Sequence, residues 1–64
     1  MRIYIEKEDE HRRLKFSGSV KELLLKLKLN PAMVLVVRNR KILDNDDKLS
    51  DSDSVRILET VMGG

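Results

Sequence analysis

The chain has 64 residues, of which 41% are hydrophobic and 38% are charged, as is typical of one small folded domain with no room for a separate catalytic domain. Its 13 basic and 11 acidic residues give a net charge of +2, which on its own does not indicate a nucleic-acid partner. The absence of cysteine excludes disulfides, thiolate metal sites and a cysteine nucleophile, and a single histidine offers little basis for a zinc site.

The first predicted elements are two strands at the amino end. Met1, Ile3 and Ile5 alternate with other side chains, which is the period of a strand with one buried face. After a polar connection, Leu14 and Phe16 alternate with charged residues and predict a second strand. The short polar loop between the two strands favours a β-hairpin.

A helix is predicted to begin at Ser19. Ser19 and Glu22 have the spacing of a capping box, in which each side chain bonds the backbone N–H of the other residue. An apolar stripe follows at helical spacing, formed by Val20, Leu23, Leu24 and Leu27. Asn30–Pro31 is predicted to end the helix, because proline disfavours helical geometry in the residue before it.

Three further strands are predicted after the helix. Val34–Val37 is a β-branched run that is apolar on both faces, so the sequence leaves open which of its residues face the core. A tight turn leads to a short return strand at Ile42–Leu43. Leu49 is predicted to be a single buried anchor within a polar loop, and alternation from Val55 onward predicts the last strand.

The predicted element order is ββαβββ. This order gives a two-layer α+β domain, with one helix packed on one face of a mixed sheet of about five strands. The first, third and fifth strands are the most apolar and are expected to form the centre of the sheet. We assign residues 1–61 to this domain and residues 62–64 to a flexible tail.

The carboxyl end is the most informative part of the sequence. Gly63 and Gly64 have no Cβ, so they adopt extended or left-handed backbone geometry without strain. They are also narrow enough to enter a channel and present the terminal carboxylate to another protein's active site. There an ATP-using enzyme can activate the carboxylate as an acyl-adenylate for transfer to a thiol, a sulfide or an amine.

Several segments in this order resemble the ubiquitin-like β-grasp sulfur carriers. They are Ser19–Leu24 at the start of the helix, Val34–Asn39 before the turn, Asp51–Val55 before the last strand, and Gly63–Gly64. Within that group the chain is similar to the small archaeal modifier proteins, the Urm-type modifiers, and the molybdopterin-synthase and thiamine sulfur carriers. Arg40 and Ser52 depart from the family pattern, which often has glycine at these two turn positions.

The resemblance implies a carrier and not an enzyme, with no bound cofactor. An E1-like adenylating enzyme, which uses ATP, would adenylate the carboxylate of Gly64. With a sulfur donor or acceptor enzyme the adenylate would become a thiocarboxylate, and with a lysine of a target protein it would become an isopeptide bond. Gly63, which has no side chain, would keep the chain narrow and free to adjust its backbone beside the reacting carboxylate.

A partner-binding patch is predicted on the sheet face that points away from the helix. Its predicted residues are Tyr4, Val37, Leu58 and Met62. Because the strand at 34–37 is apolar on both faces, some apolar surface must face outward whichever of its residues face the core. The simpler interpretation is scattered surface apolar residues, which are common in folded proteins.

A β-grasp binding module that recognises RNA or protein through its sheet, with no tail chemistry, is the alternative function. His11–Arg13 with Lys15 forms a small basic cluster, but sheets that bind RNA use interleaved aromatic residues for stacking, and this chain has only Tyr4 and Phe16. We therefore expect no nucleic-acid partner, and His11 is expected to be an exposed loop residue without a ligand role.

The sequence does not predict a membrane or a calcium site. The apolar run Ala32–Val37 is far shorter than the roughly 20 residues of a membrane-spanning helix. A calcium loop starting at Asp44 requires glycine at its sixth position and glutamate at its twelfth, which are Leu49 and Val55 here. We expect a cytoplasmic monomer with no bound metal.

Overall fold

Among residues 1–59, five strands form one mixed sheet, and a single helix packs on one of its faces. The computed structural model describes residues 1–59. Its elements are β1 (Arg2–Ile5), a 3₁₀ turn (Glu6–Glu8), β2 (Glu10–Arg13), β3 (Gly18–Ser19), α1 (Val20–Lys26), β4 (Val34–Arg38), β5 (Lys41–Leu43), β6 (Lys48–Leu49) and β7 (Ser54–Glu59). The strand order in the sheet is β2-β1-β7-β4-β5, and β3 pairs separately with β6.

The three most apolar strands lie at the centre of the sheet, as predicted. β1 and β7 run parallel, and β4 runs antiparallel to β7. The buried core is formed by Met1, Ile3, Ile5, Val20, Leu23, Leu24, Val34, Val36, Leu49, Val55 and Ile57. Leu49 is 4% exposed, which confirms its prediction as an anchor beneath a polar loop.

The structure decides the phase of β4, which the sequence left open. Val34 and Val36 are 8% and 1% exposed and belong to the core, so their side chains lie on the helix side of the sheet. Successive side chains of a strand point to opposite faces. Leu35 and Val37 therefore lie on the outer face, where both are half-buried.

The predicted position of the second strand was wrong. β2 spans Glu10–Arg13 and pairs antiparallel with β1, whereas Leu14 and Phe16 follow the strand and pack against the core as partly buried side chains. The chain reverses through the 3₁₀ turn and Asp9, whose φ of 48° is left-handed. β2 is an edge strand with polar side chains on both faces, so it lacks the apolar alternation that identifies a half-buried strand.

Both ends of α1 are capped by local hydrogen bonds. The predicted capping box is present: the Glu22 N–H donates to Ser19 Oγ at 3.2 Å, and the Ser19 N–H donates to Glu22 Oε1 at 2.9 Å. The helix ends at Lys26, before the predicted stop at Asn30–Pro31. The Leu29 N–H donates to the Leu24 carbonyl and Lys28 has a φ of 62°, so a Schellman-type cap ends the helix without glycine.

Three carboxylates, those of Glu22, Asp51 and Asp53, have lowered pKa values because they accept hydrogen bonds from the backbone. The Ser19 N–H is the main cause for Glu22, and the Ser50 N–H is the main cause for Asp53, which the Arg38 guanidinium also contacts at 3.0 Å. Asp53 thus joins the start of β7 to the end of β4. These groups stabilise the fold in their ionised form.

We expect stability to fall at acidic pH. Both folded pKa values lie below the ordinary values of 4.5 for Glu22 and 3.8 for Asp53, so their contribution is present above those values and is lost as pH falls through the folded pKa values. Thermal melting from about pH 7 to about pH 3 should show a shallower acid dependence for Asp53→Asn than for wild type. The exposed turn variant Asp46→Asn is the control, and an unchanged slope for Asp53→Asn would contradict this assignment.

Candidate functional site: the outer sheet face and the carboxyl end

The candidate site combines the sheet face opposite α1, called the outer face below, with the carboxyl end of the chain. Of the predicted site residues, Met62, Gly63 and Gly64 lie outside the described residues. The predicted patch residues Tyr4, Val37 and Leu58 all lie on the outer face and are half-buried. The geometry below therefore concerns the surface formed by β2, β1, β7, β4 and β5.

Strand register sets one continuous row of side chains across all five strands. Its members, in sheet order, are His11, Tyr4, Arg56, Val37 and Ile42. A second, shorter row pairs Leu35 with Leu58. Side chains that are directly opposite on neighbouring strands are close enough to touch, so each row forms a continuous surface.

One half of the outer face, formed by side chains of β4 and β5 and by Leu58 of β7, is apolar. Leu35, Val37 and Leu58 are half-buried by one another and by the sheet, whereas Ile42 is 65% exposed. The sequence did not identify Ile42 as a patch residue, because a three-residue edge strand has too little alternation to assign its face. Its pairing with Val37 extends the predicted patch to the edge of the sheet.

The other half of the outer face is organised around Tyr4. The His11 ring lies with its centroid 4.6 Å from that of Tyr4, and the Arg56 guanidinium lies 5.5 Å from the Tyr4 centroid. The prediction of His11 as a loop residue was therefore wrong, because it belongs to β2 and packs on Tyr4. The contacts among these three residues depend on strand register, so they could not be predicted from the sequence alone.

A hydrogen bond fixes the outer end of the Tyr4 side chain. Tyr4 Oη donates to Asp9 Oδ1 at 2.7 Å, and this bond is the main reason that the Tyr4 pKa is raised above its ordinary value. Asp9 is held in the left-handed turn between β1 and β2. Tyr4 is thus held in one orientation before any partner binds, which reduces the entropy lost on binding.

Residues 1–59 contain no cluster of three or more side chains suited to hold a metal ion. Within the same range, no helix is both long and apolar enough to cross a membrane. Arrays of rigid aromatic, arginine and aliphatic side chains on one face are typical of protein–protein interfaces. The arrangement of the outer face therefore suits docking to another protein.

The comparisons with known proteins agree with this architecture. A family model described as the ThiS family matches residues 2–64. A crystal structure of the thiamine biosynthesis protein ThiS from Geobacter metallireducens is similar over 100% of both chains, with a TM-score of 0.65 and 25% sequence identity. A search of curated proteins finds no match.

The whole-chain likeness confirms the predicted β-grasp fold and the predicted carrier class. ThiS-type proteins are small carriers and not catalysts, which confirms the prediction that this chain is not an enzyme. The family match also includes both glycines at positions 63 and 64. The chain belongs to the ThiS family of ubiquitin-like β-grasp sulfur carriers.

Proposed function

We propose that this protein carries sulfur on its carboxyl end, after an E1-like adenylating enzyme has activated the carboxylate of Gly64. The family match that runs through residue 64 is the observation that carries this proposal, because the matched range includes Gly63 and Gly64. Residues 1–61 form the domain that the enzyme recognises. Residues 62–64 are the tail that enters its active site.

The chemistry requires only a carboxylate from this chain. One oxygen of the Gly64 carboxylate attacks the α-phosphorus of ATP, and pyrophosphate leaves. Hydrosulfide supplied by a sulfur donor then forms a bond to the carbonyl carbon while the bond from that carbon to the AMP oxygen breaks. The products are a Gly64 thiocarboxylate and AMP, and the partner enzyme supplies all catalytic groups.

The acceptor of the sulfur is a second partner enzyme. The similar crystal structure is named as a thiamine biosynthesis protein. We therefore infer that the acceptor is an enzyme of thiamine biosynthesis. A lysine amine of a target protein can attack the same adenylate and form an isopeptide bond. The family assignment favours sulfur transfer over this modifier function.

The outer face is the proposed docking surface for the adenylating enzyme. Tyr4, Val37 and Leu58 supply its fixed contacts, and we propose Met62 as a further contact residue. Tyr4 is held by His11, Arg56 and Asp9, so its contact area is available at little further cost in side-chain entropy. Docking of the domain would place the tail in the enzyme's active site.

The test is ATP–pyrophosphate exchange with the E1-like adenylating enzyme of the same organism. Wild-type protein should support exchange, and addition of sulfide should convert it to the thiocarboxylate, seen by mass spectrometry as replacement of one oxygen by sulfur. A lysine-linked product in place of the thiocarboxylate would favour the modifier function. Failure of exchange with the full-length chain would contradict the proposed function.

Substitutions in the patch should weaken docking more than folding. Leu58→Asp and Tyr4→Asp place a charge on the outer face, so we expect each to lower affinity for the adenylating enzyme by roughly tenfold or more, as for interface hot spots. Leu25→Asp is the matched control, because Leu25 is 57% exposed on α1, away from the outer face. If affinity and melting temperature fall in proportion for Tyr4 and Leu58, these residues act in the fold and not in docking.

A further inference from the structure

Arg2, Arg13 and Arg40 lie at one end of the outer face, and Arg56 lies next to that end, opposite Tyr4. These four residues are called the arginine cluster below. β1 and β7 are parallel and begin at this end, where Arg2 pairs with Ser54 and with Arg13 at the end of β2. The β4–β5 turn is at the same end, because β4 runs antiparallel to β7. Two neighbouring hollows share Tyr4, Ser54 and Val55. Arg2 and Arg13 line the first together with Arg12, and Arg40 and Arg56 line the second.

The charge of the arginine cluster is not neutralised within residues 1–59. All four side chains belong to exposed residues. The side-chain ion pairs of this range are made by other residues, namely Lys7 with Glu59, Arg12 with Glu10, and Arg38 with Asp53. None of the four makes an ion pair in this range, although the Arg56 guanidinium lies over the Tyr4 ring.

The opposite end of the sheet is acidic. Its carboxylates are Glu6, Glu8, Asp9, Glu10 and Glu59, of which Glu10 and Glu59 are in ion pairs with Arg12 and Lys7. β7 separates the two ends by six residues, which is on the order of 17 Å at the rise of an extended strand. The sheet therefore carries positive charge where β7 begins and negative charge where it ends.

Arg40 occupies a backbone position that favours glycine. Asn39 and Arg40 have φ values of 52° and 66° and form the two-residue turn between the paired Arg38 and Lys41. Such turns prefer glycine at the second position, because left-handed geometry is strained for other residues. Arg40 makes no hydrogen bond or ion pair among residues 1–59 that would offset this strain. Arg40 lines the second hollow together with Arg56.

We propose that the arginine cluster docks a carboxylate-rich surface of the adenylating enzyme and sets the orientation in which this protein binds. This inference rests on the proposed function. The cluster adjoins the apolar half of the outer face, so the complementary partner surface is apolar in the middle and acidic on one side. The acidic end of the sheet would be repelled by the same carboxylates, which disfavours the reversed orientation.

The observations favour a protein over a nucleic acid as the occupant. Tyr4 is the only aromatic residue other than His11 in the rows of the outer face, and its ring is packed between His11 and Arg56. A single tyrosine does not provide the series of aromatic rings on which successive bases stack in single-strand binding. The exposed Ile42 and the half-buried Leu58 would also find no apolar counterpart on a phosphate backbone.

The experiment measures association rates with the purified E1-like adenylating enzyme at low and high salt. The test variant is Arg2→Glu/Arg40→Glu, and the control is Lys21→Glu/Lys26→Glu, which makes the same change in net charge on α1. We expect the test variant to associate on the order of tenfold or more slowly at low salt and to lose most of the salt dependence of wild type. The control should associate at the wild-type rate. Circular dichroism melting confirms that each variant is folded.

Arg40→Gly and Arg40→Lys separate charge from turn strain. If the cluster acts through charge, Arg40→Gly should slow association although it relaxes the turn, and Arg40→Lys should restore most of the rate.

Equal association rates for wild type and the Arg2→Glu/Arg40→Glu variant, with normal pyrophosphate exchange, would overturn this inference alone. No exchange with wild type would overturn the proposed function as well. A third outcome is that wild type binds a labelled single-stranded RNA, that the test variant does not, and that both associate equally with the enzyme. This outcome would identify nucleic acid as the occupant and overturn the proposal.

Discussion

Removal of Gly64 is expected to abolish ATP-dependent activation of this protein while leaving its fold intact. The new carboxylate would lie one residue short of the adenylation centre, a displacement of up to about 3.5 Å. Misplacement by even about 1 Å can lower a rate on the order of 100-fold. The fold should survive because the buried core lies between Met1 and Ile57. ATP–pyrophosphate exchange with full-length and truncated chains measures the effect.

Gly63→Val tests the same tail without shortening it. A branched side chain beside the reacting carboxylate should also impair exchange, because the channel must close around a backbone that has no Cβ. Both variants should melt at the wild-type temperature. If the truncated chain supports exchange as well as the full-length chain, the carrier function is wrong and the β-grasp binding module becomes the better interpretation.

Leu24→Ala is expected to cost roughly 2–5 kcal/mol of stability, as is typical of a large-to-small substitution at a buried site. Leu24 is 1% exposed and belongs to the helix stripe that packs on the sheet. Since small domains have total stabilities of about 5–15 kcal/mol, this is a large part of the whole. Urea denaturation measures the loss.

The neighbouring residue supplies a matched control for this prediction. Leu25 is 57% exposed on the same helix, so Leu25→Ala removes the same atoms from a surface position and should change stability by no more than about 0.5 kcal/mol. Similar losses for Leu24→Ala and Leu25→Ala would show that the burial of the stripe has been assigned to the wrong face of α1.

The buried elements could be predicted from sequence because their apolar spacing is regular. Ile3 and Ile5 alternate along β1, and Leu23 and Leu24 continue the stripe of α1, so periodicity alone identified the faces that form the core. β2 could not be placed in this way, because an edge strand with polar side chains on both faces has no apolar period. The two-residue strands β3 and β6 are too short to show any pattern.

The candidate site was predictable only in part, because some of its contacts depend on strand pairing and not on local apolar spacing. The outward positions of Tyr4 and Leu58 follow from their alternation with buried neighbours. The packing of His11 and Arg56 on Tyr4, by contrast, depends on which strands pair and in what register, and local patterns do not contain that information. Arg40 joins this face through a tight turn, so its place beside Arg56 also depends on the tertiary fold.

The intact mass of the protein purified from its own cells tests the central claim most directly. If this chain is a sulfur carrier, a fraction should carry the mass change of one oxygen replaced by sulfur, and fragmentation should place that change on Gly64. Removal of the adenylating enzyme from those cells should eliminate this species. The sulfur-carrier function would be contradicted if Gly64 were unmodified in every molecule. In that case the mass would be the same in cells that contain the enzyme and in cells that lack it.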